Sequence, residues 1–246
     1  MRYVISLIAL LALVSCQPAE QPVEEAASEA ASADTDPMDP TVTEPDHYKV
    51  EFENDHVRVV RVTHAAEEED GMHSHPDRVV VFLADGSYAA VLEDGTENEI
   101  SGKAGEAAWA SPETHRGKAL TDIEGILIEI KGGGGEVEAA PGEATGESVD
   151  ATEVASDHYK AEFENDHVRV VRITYAAGEE SGRHSHPDGV VIFLSDNEAA
   201  FVLEDGSSEE RSGKAGEVRW LPAETHAAKS LSEAAVLLVE IKGSGG

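Results

Sequence analysis

Short apolar segments that alternate with polar residues occur in two stretches of the chain. In VRVVRV (57–62), successive side chains of a strand would point to opposite faces, with Val57 and Val59 on one face. Four similar segments follow at VVVFL (79–83), YAAVL (88–92), EAAWA (106–110) and GILIEI (125–130). Asp-Gly pairs and a Gly-Lys-Ala-Gly turn separate them. Seven or eight short strands at this spacing, with no long helical period, predict an all-β barrel or sandwich.

This pattern occurs twice. Residues 46–131 align with residues 157–242 at a constant offset of 111 and without gaps, and 54 of the 86 aligned positions are identical. DHYKVEFENDHVRVVRVT in the first copy corresponds to DHYKAEFENDHVRVVRIT in the second, and HSHPD, SGKAGE and ETH occur in both. Each copy is long enough to be a domain. The sequence therefore predicts a tandem duplication.

Strongly acidic segments flank the two copies. Residues 17–45 contain eight acidic residues and residues 132–156 contain six, and neither segment contains a basic residue. With many Ala, Ser and Pro and no apolar period, they are predicted to be a disordered tether and a flexible Gly-rich linker, and residues 243–246 a flexible tail. The net charge of −32 repels phosphate backbones, so we expect no nucleic-acid partner.

Arginines lie within the alternating strand of each copy. We expect these residues to pair with acidic groups on the outside of each domain, although one that points inward could bind a substrate carboxylate: Arg58, Arg61, Arg169 and Arg172.

The N-terminus reads MRYVISLIALLALVSC (1–16). Its apolar run is too short to span a bilayer as a helix, but it is typical of a secretory signal. Leu13-Val14-Ser15-Cys16 resembles the lipobox of bacterial lipoproteins, in which the signal is cleaved before a cysteine that takes a diacylglyceryl group. The resemblance implies a lipid anchor at Cys16 outside the cytoplasm. Gln17 stands where the inner-membrane retention signal has aspartate, which favours the periplasmic side of the outer membrane.

Three histidines recur in each copy at positions suited to one site. His73 and His75 alternate in GMHSHPD, so both can point into a barrel, and His115 follows about 40 residues later in ETH. The second copy has His184, His186 and His226. Neutral imidazoles in such a group can bind a divalent transition metal. Alternatively, they only form hydrogen bonds or line a pocket. His64 becomes Tyr175 in the second copy and is given no ligand role.

These motifs resemble those of the cupin superfamily. Its first motif is a glycine, HxH and a downstream glutamate, and its second is a glycine, PxG and a histidine; Gly105 and Gly216 would open the second. The resemblance covers both copies but not the acidic segments. It implies two tandem jelly-roll barrels, a bicupin, with one mononuclear metal per barrel. The implied ligands are His73, His75 and His115, and His184, His186 and His226.

The chain departs from the cupin pattern in its carboxylates. Valines (79, 80, 190 and 191) stand where the metal-binding glutamate is expected, and Glu113 and Glu224 replace the PxG glycine. Either a three-histidine site remains, or a carboxylate is a fourth ligand or orients a histidine. The candidates are Asp77, Asp188, Glu113 and Glu224. Fe, Mn, Ni, Cu and Zn all suit these donors.

The sequence leaves the function open between two classes. Three ligands leave coordination positions for a small organic substrate or dioxygen, as a dioxygenase or isomerase requires, or for a small organic molecule that is bound without turnover. The alternative is a metal-free small-molecule binding or structural cupin module without catalysis. The barrels are expected to pair, either within one chain or between chains. Four candidate pocket positions differ between the copies, which predicts different ligands: Met72/Arg183, Arg78/Gly189, Tyr88/Ala199 and Ala90/Phe201.

Overall fold

A computed structural model describes residues 36–132 and 149–243. The first repeat contains α1 (Pro40–Thr43), β1 (Tyr48–Glu53), β2 (Val57–His64), β3 (Glu69–His75), β4 (Arg78–Phe82), β5 (Gly86–Leu92), β6 (Glu97–Gly102), β7 (Ala107–Ala110), β8 (Glu113–Ala119) and β9 (Ile123–Ile130). The second contains α2 (Ala151–Val154), β10 (Tyr159–Glu164), β11 (Val168–Tyr175), β12 (Glu180–His186), β13 (Gly189–Phe193), β14 (Asn197–Leu203), β15 (Ser208–Gly213), β16 (Val218–Leu221), β17 (Glu224–Ser230) and β18 (Ala234–Ile241).

Each repeat folds into two antiparallel sheets that enclose a barrel interior. The five-stranded sheet has the order β1-β2-β9-β4-β7 in the first repeat and β10-β11-β18-β13-β16 in the second. The four-stranded sheet has the order β3-β8-β5-β6, and its counterpart is β12-β17-β14-β15. The predicted all-β fold with two jelly-roll barrels is therefore confirmed. β4, β5, β7 and β9 coincide with predicted segments to within two residues.

Both faces of the inner strands of the five-stranded sheets are buried. In β2, Val57 and Val59 belong to a core cluster that contains side chains of both repeats, whereas Val60 and Val62 pack with Tyr48 and face the first barrel's interior. The shared cluster includes valines, leucines and isoleucines of β2, β4, β9, β11, β13, β16 and β18. The two barrels thus pack sheet against sheet within one chain. The described residues from 36 onwards form one compact unit.

Reciprocal polar and aromatic contacts border this shared core. The Arg61 guanidinium donates to the Gly216 carbonyl at 2.6 Å, and Arg172 donates to the Gly105 carbonyl at 2.6 Å. Trp109 stacks on His167 at 5.2 Å between ring centroids, and Trp220 stacks on His56 at 5.6 Å. Gly105 and Gly216 have φ of 83° and 81°, a backbone conformation that favours glycine. The glycines that open the second cupin motif therefore form the turns that meet the other repeat.

The last residues of each acidic segment are structured, contrary to the prediction of a disordered tether and a flexible linker. Residues 36–45, assigned above to the tether, form a turn and α1, and the Ser74 amide donates to the Met38 carbonyl at 2.8 Å. Residues 149–156, assigned to the linker, form α2 in the same way, and the Ser185 amide donates to Val149 at 2.6 Å. Asp39 and Asp150 cap these helices and accept from Arg58 and Arg169. The acidic composition led to a prediction of disorder, whereas Asp39 and Asp150 are paired with arginines of the barrels.

Several sequence-based predictions lie outside the described residues. These are the signal peptide, Cys16, residues 17–35 of the tether, residues 133–148 of the linker and residues 244–246. In the part of the chain that the structure describes, no helix has the length and apolar character needed to cross a membrane.

Candidate metal centres

Strand pairing brings three histidines together in each barrel. On β3, His73 and His75 are two residues apart and point to the same side, and His73 lies opposite His115 of β8. On β12, His184 lies opposite His226 of β17, and His186 follows two residues later. All six side chains are buried. The structure thus brings together every histidine proposed as a ligand.

The first triad is the tighter of the two. The metal-binding atoms of His73, His75 and His115 all lie within 4.8 Å of one another, and the ring centroids are 4.6–5.3 Å apart. Across residues 36–132 and 149–243, the second triad does not meet that 4.8 Å limit. Its ring centroids are 4.7 Å apart for His184 and His226, and 5.2 Å apart for His186 and His226.

Backbone carbonyls fix the orientation of the first histidine in each triad. The Nδ1 of His73 lies 2.9 Å from the Gly71 carbonyl, and the Nδ1 of His184 lies 2.8 Å from the Gly182 carbonyl. A carbonyl only accepts, so Nδ1 carries the proton and Nε2 keeps its lone pair. That tautomer presents Nε2 as a metal ligand in both barrels.

Glu113 and Glu224 lie beside the third histidine of each triad. The Nδ1 of His115 lies 3.4 Å from Glu113 Oε1, and the Nδ1 of His226 lies 3.2 Å from Glu224 Oε1. An arginine holds each glutamate from the other side: Arg78 of β4 for Glu113, and Arg211 of β15 for Glu224. These carboxylates lie behind the imidazoles, where they can position the histidine that binds the metal.

Asp77 and Asp188 occupy turns beside the triads. The Asp188 carboxylate accepts from the Ala223 amide at 2.7 Å, and the backbone carbonyl of Asp77 accepts from the Ile130 amide at 2.9 Å. For Asp188 this contact supports a role in closing the turn rather than in metal binding.

Sequence reasoning missed a buried carboxylate in each barrel. Glu129 Oε1 lies 3.8 Å from His75 Nδ1, and Arg58 donates to the other oxygen of Glu129. Arg169 donates to Glu240 in the second repeat. The expectation that Arg58 and Arg169 pair on the outside is therefore wrong, since their partners are buried inside the barrels. The one sequence signal for this buried carboxylate was a single glutamate within the apolar strand GILIEI.

The interior of the first barrel contains a further polar network. The Asp70 carboxylate accepts from Tyr48 at 3.1 Å, from Tyr88, and from the Gly117 amide at 3.2 Å, and it lies 3.4 Å from His64 Nε2. His64 also stacks on His47 at 4.1 Å, with Glu68 nearby. Because His47 Nδ1 lies 3.0 Å from the Thr63 carbonyl and the rings are stacked, their lone pairs do not converge on one point.

Burial keeps the imidazoles neutral. Desolvation lowers the pKa of His73 and His184, and it lowers the pKa of His75 to about 2, with the Arg78 charge adding to the effect. It also lowers the pKa of His186 to about 4 and of His226 to about 3. A neutral imidazole is the form that binds a metal. At pH 7 the sites therefore need not release protons from histidine before binding.

The second barrel contains a cavity of about 310 Å³. Its lining is mainly apolar and includes Ile173, Phe201, Trp220 and Leu238, with His186 and His226 among the polar groups. In the first barrel, Arg78 and Tyr88 replace Gly189 and Ala199 and are buried. The Tyr88 ring fills the space over Gly117, because a Cβ at Gly117 would lie 2.6 Å from it.

Solved structures with similar folds share this two-barrel architecture. HEPD from Streptomyces albus, with the substrate 2-hydroxyethylphosphonate and Fe(II) bound, matches with a TM-score of 0.53 at 10% identity, covering 81% of this chain and 71% of that one. Oxalate decarboxylase from Lactobacillus farciminis, in a formate complex, matches with a TM-score of 0.51 at 12% identity, covering 77% of each chain. This chain has the bicupin fold. Neither a protein-family profile nor a curated protein matches this sequence.

The donor set of the two barrels fits a divalent transition metal. Three imidazoles in a buried cluster are suitable donors, and the Nε2 atoms of His186 and His226 are buried without a hydrogen-bond partner. Unpartnered buried nitrogens are unfavourable unless a ligand or ion meets them. Both triads can therefore accept a metal.

We expect acid to destabilise the metal-free protein through these histidines. Below pH 6.5 the unfolded chain binds a proton at His186, whereas the folded chain, with a pKa of about 4, does not. Burial raises the pKa of Glu129 and Glu240, and this shift makes the free energy of unfolding rise as the pH falls. The His186→Gln variant retains both glutamates, so the difference between parent and variant reports the histidine. The free energy of unfolding of the parent should fall relative to the variant by up to about 1.4 kcal/mol per pH unit between pH 6.5 and 4.

Urea denaturation at pH 7, 6 and 5 with a chelator present checks this expectation. Parallel pH profiles for the parent and His186→Gln would contradict it.

Proposed function

We propose that the chain is a metal-dependent bicupin in which each barrel binds one divalent transition metal through its three histidines. The observation that carries the proposal is the buried group formed by His73, His75 and His115, whose binding atoms lie within 4.8 Å of one another. The Gly71 carbonyl accepts from His73 Nδ1, which leaves His73 Nε2 for the metal, and Glu129 and Glu113 lie near the Nδ1 atoms of His75 and His115.

The metal is one of Fe, Mn, Ni, Cu and Zn. Three protein ligands leave coordination positions open, where a bound metal supplies Lewis-acid or oxygen-activating chemistry. The similar fold of HEPD holds Fe(II), so iron is the first metal to test. A dioxygenase or an isomerase is the class of enzyme that this arrangement supports.

Metal content per chain tests the proposal. The chain from residue 17 onwards, purified without oxygen and loaded with Fe(II), should retain about two metal ions, one for each three-histidine site. The His73→Ala/His184→Ala variant should retain almost none, because each triad loses a ligand. Elemental mass spectrometry measures both.

The matched control is His47→Ala/His158→Ala, which removes equivalent histidines outside the triads and should keep the metal. Equal metal content in the triad variant and the control would refute the proposal.

The cavity of the second barrel supports binding of a small, largely apolar molecule. Phe201, Trp220 and Leu238 would contact its apolar surface. The two arginines of the lining already pair with acids, Arg211 with Glu224 and Glu209, and Arg219 with Glu217. A neutral ligand is therefore favoured over a carboxylate. In the metal-free barrel, a hydroxyl group of such a ligand would face the Nε2 atoms of His186 and His226.

Phenol is a suitable probe of this cavity. Ala199→Tyr introduces the side chain that fills the first barrel and should abolish phenol binding measured by calorimetry. Ala200→Tyr changes the neighbouring residue on β14, which does not line the cavity, and should leave binding intact. If phenol binds equally to both variants, the cavity is not its site.

The lipid anchor completes the proposal. Acylation at Cys16 would hold the barrels at a bacterial membrane outside the cytoplasm, since several acyl chains give stable attachment. Labelled palmitate should be incorporated by the parent and not by Cys16→Ser, whereas equal labelling would refute the anchor.

A further inference from the structure

One tyrosine next to each triad forms different contacts in the two barrels. Tyr48 and Tyr159 occupy equivalent positions at the start of β1 and β10, and both are buried. Tyr48 lies beside His73, with ring centroids 5.2 Å apart, and Tyr159 lies beside His184 at 4.7 Å. Each hydroxyl therefore lies close to a nitrogen that would bind the metal.

In the first barrel, the tyrosine hydroxyl has a carboxylate as its acceptor. Tyr48 donates to Asp70 Oδ2 at 3.1 Å, and its oxygen lies 3.4 Å from His73 Nε2. A hydroxyl has one proton, and a carboxylate is a stronger acceptor than a neutral imidazole. The Nε2 lone pair of His73 is thus left available.

In the second barrel, the carboxylate is missing. Ser181 takes the position of Asp70, and the Tyr159 hydroxyl lies 2.9 Å from His184 Nε2. Because His184 Nδ1 donates to the Gly182 carbonyl, Nε2 is the acceptor in this bond. A metal ion must break that hydrogen bond before it can bind His184.

Some of the other charges near the two triads are matched. Each barrel has one arginine–glutamate pair behind the third histidine and one buried glutamate held by an arginine and a capping aspartate. Two carboxylates near His73, Asp70 and Glu44, are replaced in the second barrel by neutral residues, Ser181 and Ala155. Asp70 is the buried one of the two, so it adds a negative charge inside the first barrel only, which favours a cation there.

We infer that Asp70 is a positioning residue that makes the first barrel the tighter metal site, and that Tyr159 acts as an internal competitor for His184 in the second. This inference rests on the proposed metal binding by both triads. It implies that the barrels load in sequence, the first at lower metal concentration than the second.

Variants with one intact triad test the inference, with Co(II) alone as the probe. His115→Ala leaves the second triad and His226→Ala leaves the first, both in the chain with both repeats, because the repeats share a core. Calorimetry and the visible absorption of bound Co(II) give the affinity. The chain with the first triad should bind Co(II) more tightly than the chain with the second.

Tyr159→Phe in the His115→Ala background should tighten Co(II) binding by about 3- to 10-fold, since removing one neutral hydrogen bond removes the competition. The matched change, Tyr48→Phe in the His226→Ala background, should tighten binding less, because Asp70 accepts the Tyr48 proton. A merely structural role for Tyr159 predicts no change or weaker binding.

Asp70→Ser in the His226→Ala background should weaken Co(II) binding, and adding Tyr48→Phe should restore part of the loss. Thermal melts verify that the variants fold. Ser181→Asp in the His115→Ala background is the converse change and should tighten Co(II) binding by the second triad. Failure of Tyr159→Phe to tighten binding would overturn this inference while leaving metal binding in place. No Co(II) binding by either triad would overturn the proposed function and the inference together.

Discussion

Apolar contact between the two five-stranded sheets is the interaction on which the rest of the structure depends. Val59, Val170, Ile128 and Val239 are fully buried in a core that both repeats share. Burial of aliphatic side chains stabilises a protein by about 1.5–3 kcal/mol each. Because this core lies outside the barrels, their interiors can hold histidines, carboxylates and arginines that contribute little to stability or oppose it.

The two repeats share their strand arrangement but differ in the side chains that fill the barrel interior. Strand order, register and the triads are the same in both copies, yet Tyr88 over Gly117 fills the first barrel where Ala199 and Ala228 leave room in the second. The arginine that holds the orienting glutamate also comes from different strands, β4 in the first barrel and β15 in the second. Selection of ligands can therefore differ between barrels without any change in the fold.

The fold could be predicted from the sequence because strand alternation, turns and the repeat are local patterns. The triads could also be predicted, since HxH places two imidazoles on one face and ETH recurs at the same offset. Asp70, Glu129 and Tyr48 could not, because their importance depends on partners far along the chain. Sequence also could not reveal that Arg58 points inward, since the alternation of β2 has valines on both faces and only the packing of the second barrel decides which face is outside.

The strand period explains how these motifs orient their own histidines. Residues two apart are neighbours along one strand, and the residue two before the first and the third histidine of each triad contacts the imidazole ring. Gly71 supplies a carbonyl to His73, and Glu113 supplies a carboxylate to His115. A glycine at the position of Glu113 could offer no side-chain acceptor. The glutamate at the PxG glycine position thus lies behind the third imidazole, and valines occupy the expected position of the carboxylate ligand. The metal-facing side of the three histidines therefore has no fourth ligand from these positions.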